Sequence, residues 1–205
     1  QVTGTVRERA SKNPKQPTGD IEVSPEEIRV LGRCRYNELP FEINRSREAD
    51  ETQRLKYRYL DLRNPAVKSN IVLRCQVVAE LRKRMTDLGF LEITTPILTA
   101  SSPEGARDYL VPSRVQPGHF YALPQSPQLY KQILMLSGFD RYFQIARCYR
   151  DEDLRADRQP EFTQVDEEMS FVNEDDIMTI NEGLIKRLWK EMLGVDVQTP
   201  FVRMP

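Results

Sequence analysis

The sequence contains very little histidine and cysteine. A single histidine, His119, stands among 205 residues, which excludes a histidine-rich metal site and any mechanism that needs two histidines. The three cysteines, Cys34, Cys75 and Cys148, are odd in number and far apart. We therefore expect no disulfide framework and a reducing compartment, which favours a cytoplasmic location.

Long hydrophobic runs and an excess of one charge are also missing. No apolar stretch approaches the ~20 residues of a membrane span, and nothing at the N-terminus has the pattern of a signal peptide, so no membrane partner is expected. Thirty Lys and Arg against thirty-one Asp and Glu give a net charge of −1. This balance excludes a uniformly basic nucleic-acid-binding protein but leaves room for a local basic patch.

The N-terminal part contains short strand patterns. Three strands are predicted, at residues 1–7, 21–23 and 28–31. Ser24–Glu27 has a cap with proline at the first helical position, which predicts a single helical turn. Three such strands bury little apolar area, so we expect residues 1–43 to be the C-terminal part of a small β-domain. Residues 44–64 are highly charged and are interpreted as a hinge.

The remainder, residues 65–205, alternates helices with strands. We predict helices from Asn64-Pro65 to Gly89, from Ser126-Pro127 to Leu136 and from Asn173 to Gly194. We predict strands over 90–98, interrupted by Pro96, and over 142–149 and 162–171, the last two forming a hairpin. Helices interleaved with a hairpin indicate the α+β class and a mainly antiparallel sheet.

Alternating residues on the predicted hairpin share a polar face. It carries Tyr142, Gln144, Ala146, Cys148 and Arg150 from the first strand and Phe162, Gln164, Asp166 and Glu168 from the second. We interpret it as the open floor of a site, because Arg offers paired donors to phosphate or carboxylate and an aromatic ring offers a stacking surface for a nucleobase. The opposite face is predicted to be core: Phe143, Ile145, Tyr149, Val165, Met169 and Phe171.

A predicted helix and a predicted loop add further polar groups. Gln128 and Lys131 are three residues apart and project from one helix face, which suits a small anionic ligand. Glu104 lies in a loop where a carboxylate could receive an ammonium group. Residue types alone also allow each of these charges to be an ordinary surface group. The pattern by itself therefore predicts an anion site and nothing more specific.

Longer patterns carry a family resemblance. Phe143-Gln-Ile-Ala-Arg-Cys-Tyr-Arg150-Asp-Glu152 and, after a loop, Arg158-Gln-Pro-Glu-Phe162-Thr-Gln164 resemble motif 2 of the class II aminoacyl-tRNA synthetases. Gly89-Phe-Leu-Glu-Ile-Thr-Thr-Pro96-Ile-Leu resembles motif 1. The strings at 58–63, 103–114 and 125–131 are similar to aspartyl-tRNA synthetases of the bacterial type. The resemblance runs nearly the whole length and is clearest from residue 54 to 171.

The resemblance implies an ATP site. In it Arg150, the catalytic residue, would hold the α-phosphate and the reacting carboxylate. Glu152 would receive the adenine amino group, and Phe162 would stack on the adenine ring. Arg158 would reach the γ-phosphate, and Gln159 would lie against the nucleotide.

The resemblance also implies an amino-acid site. Glu104 would take the substrate ammonium, and Lys131 would pair with the side-chain carboxylate of aspartate. Gln128 would shape this pocket, and Arg150 would border it. Ser126 would line it, although a serine at this place equally suits a helix cap. Two weaker candidates are Arg155 and Gln164.

For the whole molecule the resemblance implies the N-terminal part of an antiparallel-sheet catalytic domain with helices over residues 65–205, preceded by the C-terminal part of an OB-fold β-barrel over residues 1–43. The implied reaction uses ATP, L-aspartate and tRNA(Asp), with Mg²⁺ held by ligands outside this chain. A homodimer is implied through motif 1 around Pro96. The third, glycine-rich motif of the family is absent from this sequence, so we expect an incomplete piece that does not activate aspartate efficiently alone.

Two alternatives stay open. The first is a related class II enzyme: an asparaginyl- or lysyl-type synthetase, or an aspartyl enzyme that also charges tRNA(Asn). Lys131 and the string at 103–114 favour aspartate over these. The second belongs to another class, a catalytically silent binding or dimerisation module.

Overall fold

The computed structural model describes residues 1–33, 35–36, 38–102, 105–153, 155 and 157–204. The chain divides into two compact units, Gln1–Val67 and Lys68–Pro205, and each is described by itself. Across these described ranges, no helix is both long and apolar enough to cross a membrane. Helices alternate with strand pairs that are mostly antiparallel, so the predicted α+β class is confirmed.

The first unit begins with an antiparallel hairpin of β1 (Val2–Glu8) and β2 (Ile21–Ile28). The prediction of a helical turn at Ser24–Glu27 is wrong, because these residues pair with β1 inside the ladder. A bulge at Gly4 accommodates the proline of this stretch, and a Cβ there would lie 2.1 Å from a carbonyl oxygen of β2. Almost every residue of the hairpin is exposed. Nor is 28–31 a separate strand, since β2 ends at its first residue.

A short helical segment follows, which we call the joint (residues 43–64). It consists of a 3₁₀ turn at Ile43–Glu48, helix α1 at Glu51–Lys56 and helix α2 at Arg58–Asp61. The Asp61 side chain is fully buried and accepts hydrogen bonds from Ser46 Oγ at 2.7 Å and from the guanidinium groups of Arg54 and Arg58. A buried carboxylate thus connects all three turns of the joint.

The next helix, α3 (Pro65–Asp87), begins at the end of the joint. The Asn64 side chain accepts a hydrogen bond from the Ala66 amide and donates to the carbonyl oxygens of Ile43 and Asn44. One side chain therefore both caps the helix and binds the start of the joint, while Pro65 occupies the first helical position, which needs no amide hydrogen.

Seven further elements lie in the described residues of the second unit. Their bounds are β3 Leu91–Glu92, β4 Leu110–Pro112, β5 Phe120–Ala122, α4 Gln128–Leu136, β6 Arg141–Tyr149, β7 Glu161–Met169 and α5 Glu174–Leu193. Strands β6 and β7 pair antiparallel over their full length, β3 pairs parallel with β6, and β4 pairs antiparallel with β5. Helix α5 has the predicted start at Asn173, whose side chain forms a capping box, and ends at the left-handed Gly194.

The hydrophobic core of this unit lies between α3, β6 and α5. Its fully or nearly buried members are Leu81, Met85, Phe90, Phe143 and Leu184. Leu81 and Met85 come from α3, and they share one helix face because residues four apart lie on the same side of a helix. Phe143 comes from the strand face predicted to be core.

Three predictions about the strands are wrong in detail. The strand predicted over 90–98 is paired only at Leu91–Glu92, and beyond it the Thr95 amide is taken by the Gln144 side chain at 2.8 Å. Phe171, predicted as core, is 98% exposed with φ +59°, because it lies in the turn that leads from β7 into α5. The polar face of β6 is not an open floor, since its residues Tyr142 and Cys148 are fully buried and α4 packs on it.

Candidate functional site

A cavity opens in the loop between β6 and β7, which we call the hairpin loop (residues 150–160). It has a volume of about 490 Å³. Its lining residues are Arg150, Glu152, Asp153, Asp157, Arg158, Gln159 and Phe162. All five residues predicted from the resemblance for an ATP site are in this set.

The register of the hairpin explains how the cavity forms. The Arg150 amide donates to the Pro160 carbonyl oxygen at 2.9 Å, so the strand pairing is closed just beyond Tyr149 and Glu161. Phe162 lies opposite Cys148, and the guanidinium carbon of Arg150 is 5.1 Å from the centre of the Phe162 ring. A cation and an aromatic ring therefore stand side by side at the mouth of the loop.

No acid in the described part of the chain forms an ion pair with the arginines of this cavity. Among the described residues, neither Arg150 nor Arg158 forms an ion pair, although Glu152, Asp153 and Asp157 line the same cavity. Arginine presents a planar set of donors that matches phosphate and carboxylate. The cavity is thus equipped to bind an anionic group next to a flat ring. Arg155 is exposed and is not among the lining residues.

A second polar cluster, which we call the lysine cluster (Lys131, Asp166 and Glu168), lies further along the same face of β7. Lys131 Nζ is 3.0 Å from Asp166 Oδ1 and 3.3 Å from Glu168 Oε2. The Lys131 and Asp166 side chains are only 13% and 9% exposed. Burial would lower the pKa of Lys131, but the hydrogen bonds and charges of the two acids outweigh it and raise this pKa above its ordinary value. A charged ammonium is therefore held in a nearly dry place.

The hairpin-loop cavity and the lysine cluster both use residues from the same face of β7. Phe162 and Asp166 are four residues apart on β7, which corresponds to about 13 Å along an antiparallel strand. Gln164 lies between them, opposite Ala146, and accepts a hydrogen bond from Cys148 Sγ at 3.4 Å. The weaker candidate Gln164 thus bridges the two predicted subsites.

The remaining predicted residues are distributed around α4. Gln128 is the first residue of α4, one turn before Lys131. Ser126 lies two residues before the helix and lines a second cavity of about 210 Å³. The helix N-cap position is Pro127, so Ser126 is not the cap that a serine here also predicted. Glu104 lies outside the described residues.

Two residues that the sequence did not single out organise the segment before this helix. Gln125, 5% exposed, exchanges hydrogen bonds with both backbone groups of Ala106 and donates to the Asp108 carboxylate. Burial would raise the pKa of Asp108, but hydrogen bonds from Ser101, Gln125 and the Ser102 amide lower it below its ordinary value. Gln125 stood inside a string similar to the family, and no periodicity marked its buried amide.

The described residues contain no group of three or more His, Cys, Asp or Glu side chains that could hold a metal ion. The acids of the hairpin loop and of the lysine cluster therefore do not form a metal site on their own. Asp166 and Glu168 instead pair with the Lys131 ammonium.

Comparisons with known proteins give one consistent result. A family described as tRNA synthetases class II (D, K and N) matches residues 50–205. The chain is 59% identical to an aspartate–tRNA ligase of Ruminiclostridium cellulolyticum, covering all of this chain and 34% of that protein. It is 58% identical to one of Bacteroides thetaiotaomicron, covering 100% and 35%. The chain thus spans about a third of the length of these curated relatives.

Two other similar proteins have names that include asparagine or its tRNA. An aspartate–tRNA(Asp/Asn) ligase of Thermotoga neapolitana is 57% identical, over 99% of this chain and 35% of that protein. Among solved structures, asparaginyl-tRNA synthetase from Pyrococcus horikoshii, complexed with asparaginyl-adenylate, superposes with a TM-score of 0.77. It is 23% identical and covers 95% of this chain and 42% of that one, so it shows the shared fold.

Proposed function

Because the chain belongs to the class II tRNA synthetases (D, K and N), we propose that its protein is an aspartate–tRNA ligase. In the first step a carboxylate oxygen of L-aspartate attacks the α-phosphorus of ATP, and pyrophosphate leaves. In the second step the terminal adenosine hydroxyl of tRNA(Asp) attacks the carbonyl of aspartyl-adenylate, and AMP leaves. The relatives named above support aspartate as the amino acid.

The observation that carries this proposal is the composition of the hairpin-loop cavity. Two arginines that pair with no acid among the described residues, and one aromatic ring, face the same 490 Å³ space. A nucleotide needs these two things together, because its phosphates require cations and its base requires a flat apolar surface. We assign Arg150 to the α-phosphate and the attacking carboxylate, and Phe162 to the adenine ring.

The other groups of the cavity complete the nucleotide contacts. Glu152 accepts from the adenine amino group, and Arg158 binds the γ-phosphate. Gln159 lies against the nucleotide between them. Such a site works by positioning the reactants and by neutralising the charge that develops on the phosphate, and no side chain has to act as a nucleophile. A chain with one histidine can therefore carry out this chemistry.

The lysine cluster is proposed as the amino-acid subsite. Lys131 has three N–H donors, of which Asp166 and Glu168 take two, so one remains for the side-chain carboxylate of aspartate. Asparagine offers no charge to this ammonium, so binding it in a nearly dry pocket would cost more than binding aspartate. Gln128 and Ser126 border this subsite, and Glu104 is assigned to the substrate ammonium.

Further properties follow from the family and are proposals of the same kind. Residues 1–43 would belong to an OB-fold that reads tRNA, with residues 44–64 as the hinge to the catalytic domain over 65–205. Two copies would associate through motif 1 around Pro96, and the protein would work in the cytoplasm. Mg²⁺ would accompany ATP, but the described acids do not form a site for it, so no step is assigned to the ion.

Amino-acid-dependent exchange of pyrophosphate into ATP tests the proposed function. A full-length protein with this sequence should support exchange with aspartate and show at most a small fraction of that rate with asparagine or lysine. Charging of tRNA(Asp) transcripts with labelled aspartate then tests the second step. Exchange driven by lysine, or binding of lysine tighter than aspartate in isothermal titration, would replace this assignment. Absence of exchange with any amino acid would favour the silent binding module.

A second candidate is an enzyme that charges both tRNA(Asp) and tRNA(Asn) with aspartate. The 57% identity to a ligase named for both tRNAs supports this candidate. Both candidates use the same amino-acid subsite. Charging assays with purified tRNA(Asn) distinguish them, since aspartate transfer to this tRNA occurs only in the second case.

A further inference from the structure

Two buried polar atoms on the face of the β6–β7 hairpin are left without a hydrogen bond. They are the Tyr142 hydroxyl and Asp166 Oδ2, for which the described part of the chain provides no partner within bonding geometry. Tyr142 is 0% and Asp166 8% exposed, so solvent does not easily replace the missing contacts. A buried hydroxyl donor or carboxylate acceptor that stays unpaired destabilises the folded state.

The strand register places Tyr142 and Asp166 as diagonal neighbours. Tyr142 is directly opposite Glu168, and Asp166 is two residues further along β7 on the same face. Diagonal neighbours of this kind are within reach of a long aromatic side chain. Burial, followed by the negative charge of Asp166, raises the pKa of Tyr142 above its ordinary value. The hydroxyl therefore keeps its proton and is available as a donor.

The other oxygen of the same carboxylate already has a partner. Asp166 Oδ1 accepts from Lys131 Nζ at 3.0 Å. Any group that fixes Oδ2 also fixes the plane of the carboxylate, and with it the direction from which Lys131 is held. A small rotation of the tyrosine hydroxyl and the carboxylate would make the three residues one hydrogen-bonded chain.

We propose that Tyr142 is a positioning residue of the amino-acid subsite, whose hydroxyl donates to Asp166 Oδ2 and thereby directs the remaining N–H of Lys131 towards the substrate carboxylate. This inference rests on the proposed function. Packing alone does not account for the hydroxyl, because a phenylalanine ring would fill the same buried volume without a polar atom to satisfy. The hydroxyl acts through Asp166 and does not touch the substrate.

The variant Tyr142→Phe tests this role in pyrophosphate exchange by a full-length protein. We expect the KM for aspartate to rise about fivefold or more, because a buried charged acceptor loses its donor, while the KM for ATP changes less than twofold. The ratio of aspartate to asparagine activity should fall. The matched control is Tyr149→Phe, a half-buried tyrosine on the opposite face of β6, for which we expect unchanged kinetics.

A double-mutant cycle separates this role from a general effect on stability. If Tyr142 acts through Asp166, adding Tyr142→Phe to Asp166→Asn should raise the aspartate KM little further, since coupled residues are not additive. Full additivity, or an aspartate KM in Tyr142→Phe equal to that of the unmodified protein, overturns the inference and leaves the proposed function intact. An unmodified protein that activates no aspartate overturns both.

Discussion

The joint and the hairpin loop are both crowded with arginines and acids, but they use these charges differently. In the joint, the buried Asp61 carboxylate forms ion pairs with Arg54 and Arg58 and accepts a hydrogen bond from the hydroxyl of Ser46. In the hairpin loop, Arg150 and Arg158 face a cavity without an ion pair among the described residues. The same residue types therefore stabilise local structure in one place and remain available to a ligand in the other.

The difference lies in burial and in geometry. A carboxylate that is removed from water must be paired, and Asp61 is paired on both oxygens. An arginine at the edge of an open cavity keeps its hydration and needs no internal partner. In the joint, pairing thus indicates structural charges, whereas in the hairpin loop the half-buried Arg150 next to an aromatic ring indicates a binding charge. Four experiments test this distinction between structural and binding charges.

The largest effect is expected for the binding charge itself. Arg150→Ala in a full-length protein should lower aspartate-dependent pyrophosphate exchange by about 10²–10³-fold or more, because a preorganised charge at the reacting phosphate is lost. The thermal midpoint should stay close to that of the unmodified protein. Arg147→Ala is the matched control, since Arg147 lies on β6 three residues before Arg150 and pairs with the exposed Glu161 at 2.7 Å. Near-normal exchange in Arg150→Ala would contradict the assignment.

The structural charge should show the reverse behaviour. Asp61→Asn leaves two arginines around a neutral amide, so we expect the thermal midpoint to fall by roughly 5 °C or more and amide hydrogens of the joint to exchange faster. Glu48→Gln is the control, because it removes an acid of the joint from an exposed pair with Arg45. Equal protection of the joint in Asp61→Asn and Glu48→Gln would show that burial does not distinguish these pairs.

The aromatic partner should have a narrower effect than the cation. Phe162→Leu keeps apolar volume but removes the ring, and base stacking on an aromatic side chain is worth about 1–3 kcal/mol. We expect the KM for ATP to rise by about fivefold or more, with the KM for aspartate little changed. Steady-state kinetics with each substrate varied separately measures both. A rise confined to the aspartate KM would move Phe162 out of the nucleotide subsite.

The smallest effect concerns pH. Burial would raise the pKa of Asp61, but Ser46 and the arginines outweigh it and lower this pKa below its ordinary value. A lowered pKa means stability that is present above the ordinary value near 4 and is lost as the pH falls through the folded-state pKa. Thermal midpoints between pH 7 and pH 3 should therefore fall less steeply in Asp61→Asn than in the unmodified protein. Identical slopes would argue against an ionised, paired Asp61.

The sequence predicted the long helices and the hairpin well because their signals are local. The apolar residues of α3 and α5 recur every three or four positions, and Asn173 and Gly194 mark the ends of α5. Alternation predicted which residues of β6 and β7 share a face. These features depend on neighbours in the chain, so the sequence contains all that is needed to recognise them.

The wrong predictions arose where distant contacts decide. Pro25 indicated a helix start, but pairing with β1 draws it into β2. Thr95 lies in a predicted strand, but the Gln144 side chain takes its amide. Phe171 continues the alternation of β7, yet the turn into α5 leaves it in solvent. In each case a partner far along the chain, or a change of direction, overrode the local pattern.

The candidate site shows the same division. Five residues that line the hairpin-loop cavity were predicted from a resemblance over consecutive residues, and the structure brings all five together. The partners of Lys131 were not predicted, although Asp166 and Glu168 had been placed on the correct face. Gln125 and Asp108 were missed altogether, because hydrogen bonds between loops leave no period in the sequence.

The scarcity of histidine and cysteine and the near-balance of charge are determined by the sequence alone. The class of fold and the family motifs could also be recognised from the sequence. Which charges are paired was decided only by the tertiary structure. Asp61 and Arg150 are alike in lying within strongly charged segments, and the composition of these segments does not show which of the two is paired with opposite charges. Their roles differ because folding buries one among donors and leaves the other beside a ring at an open cavity, and burial depends on residues that are distant in the chain.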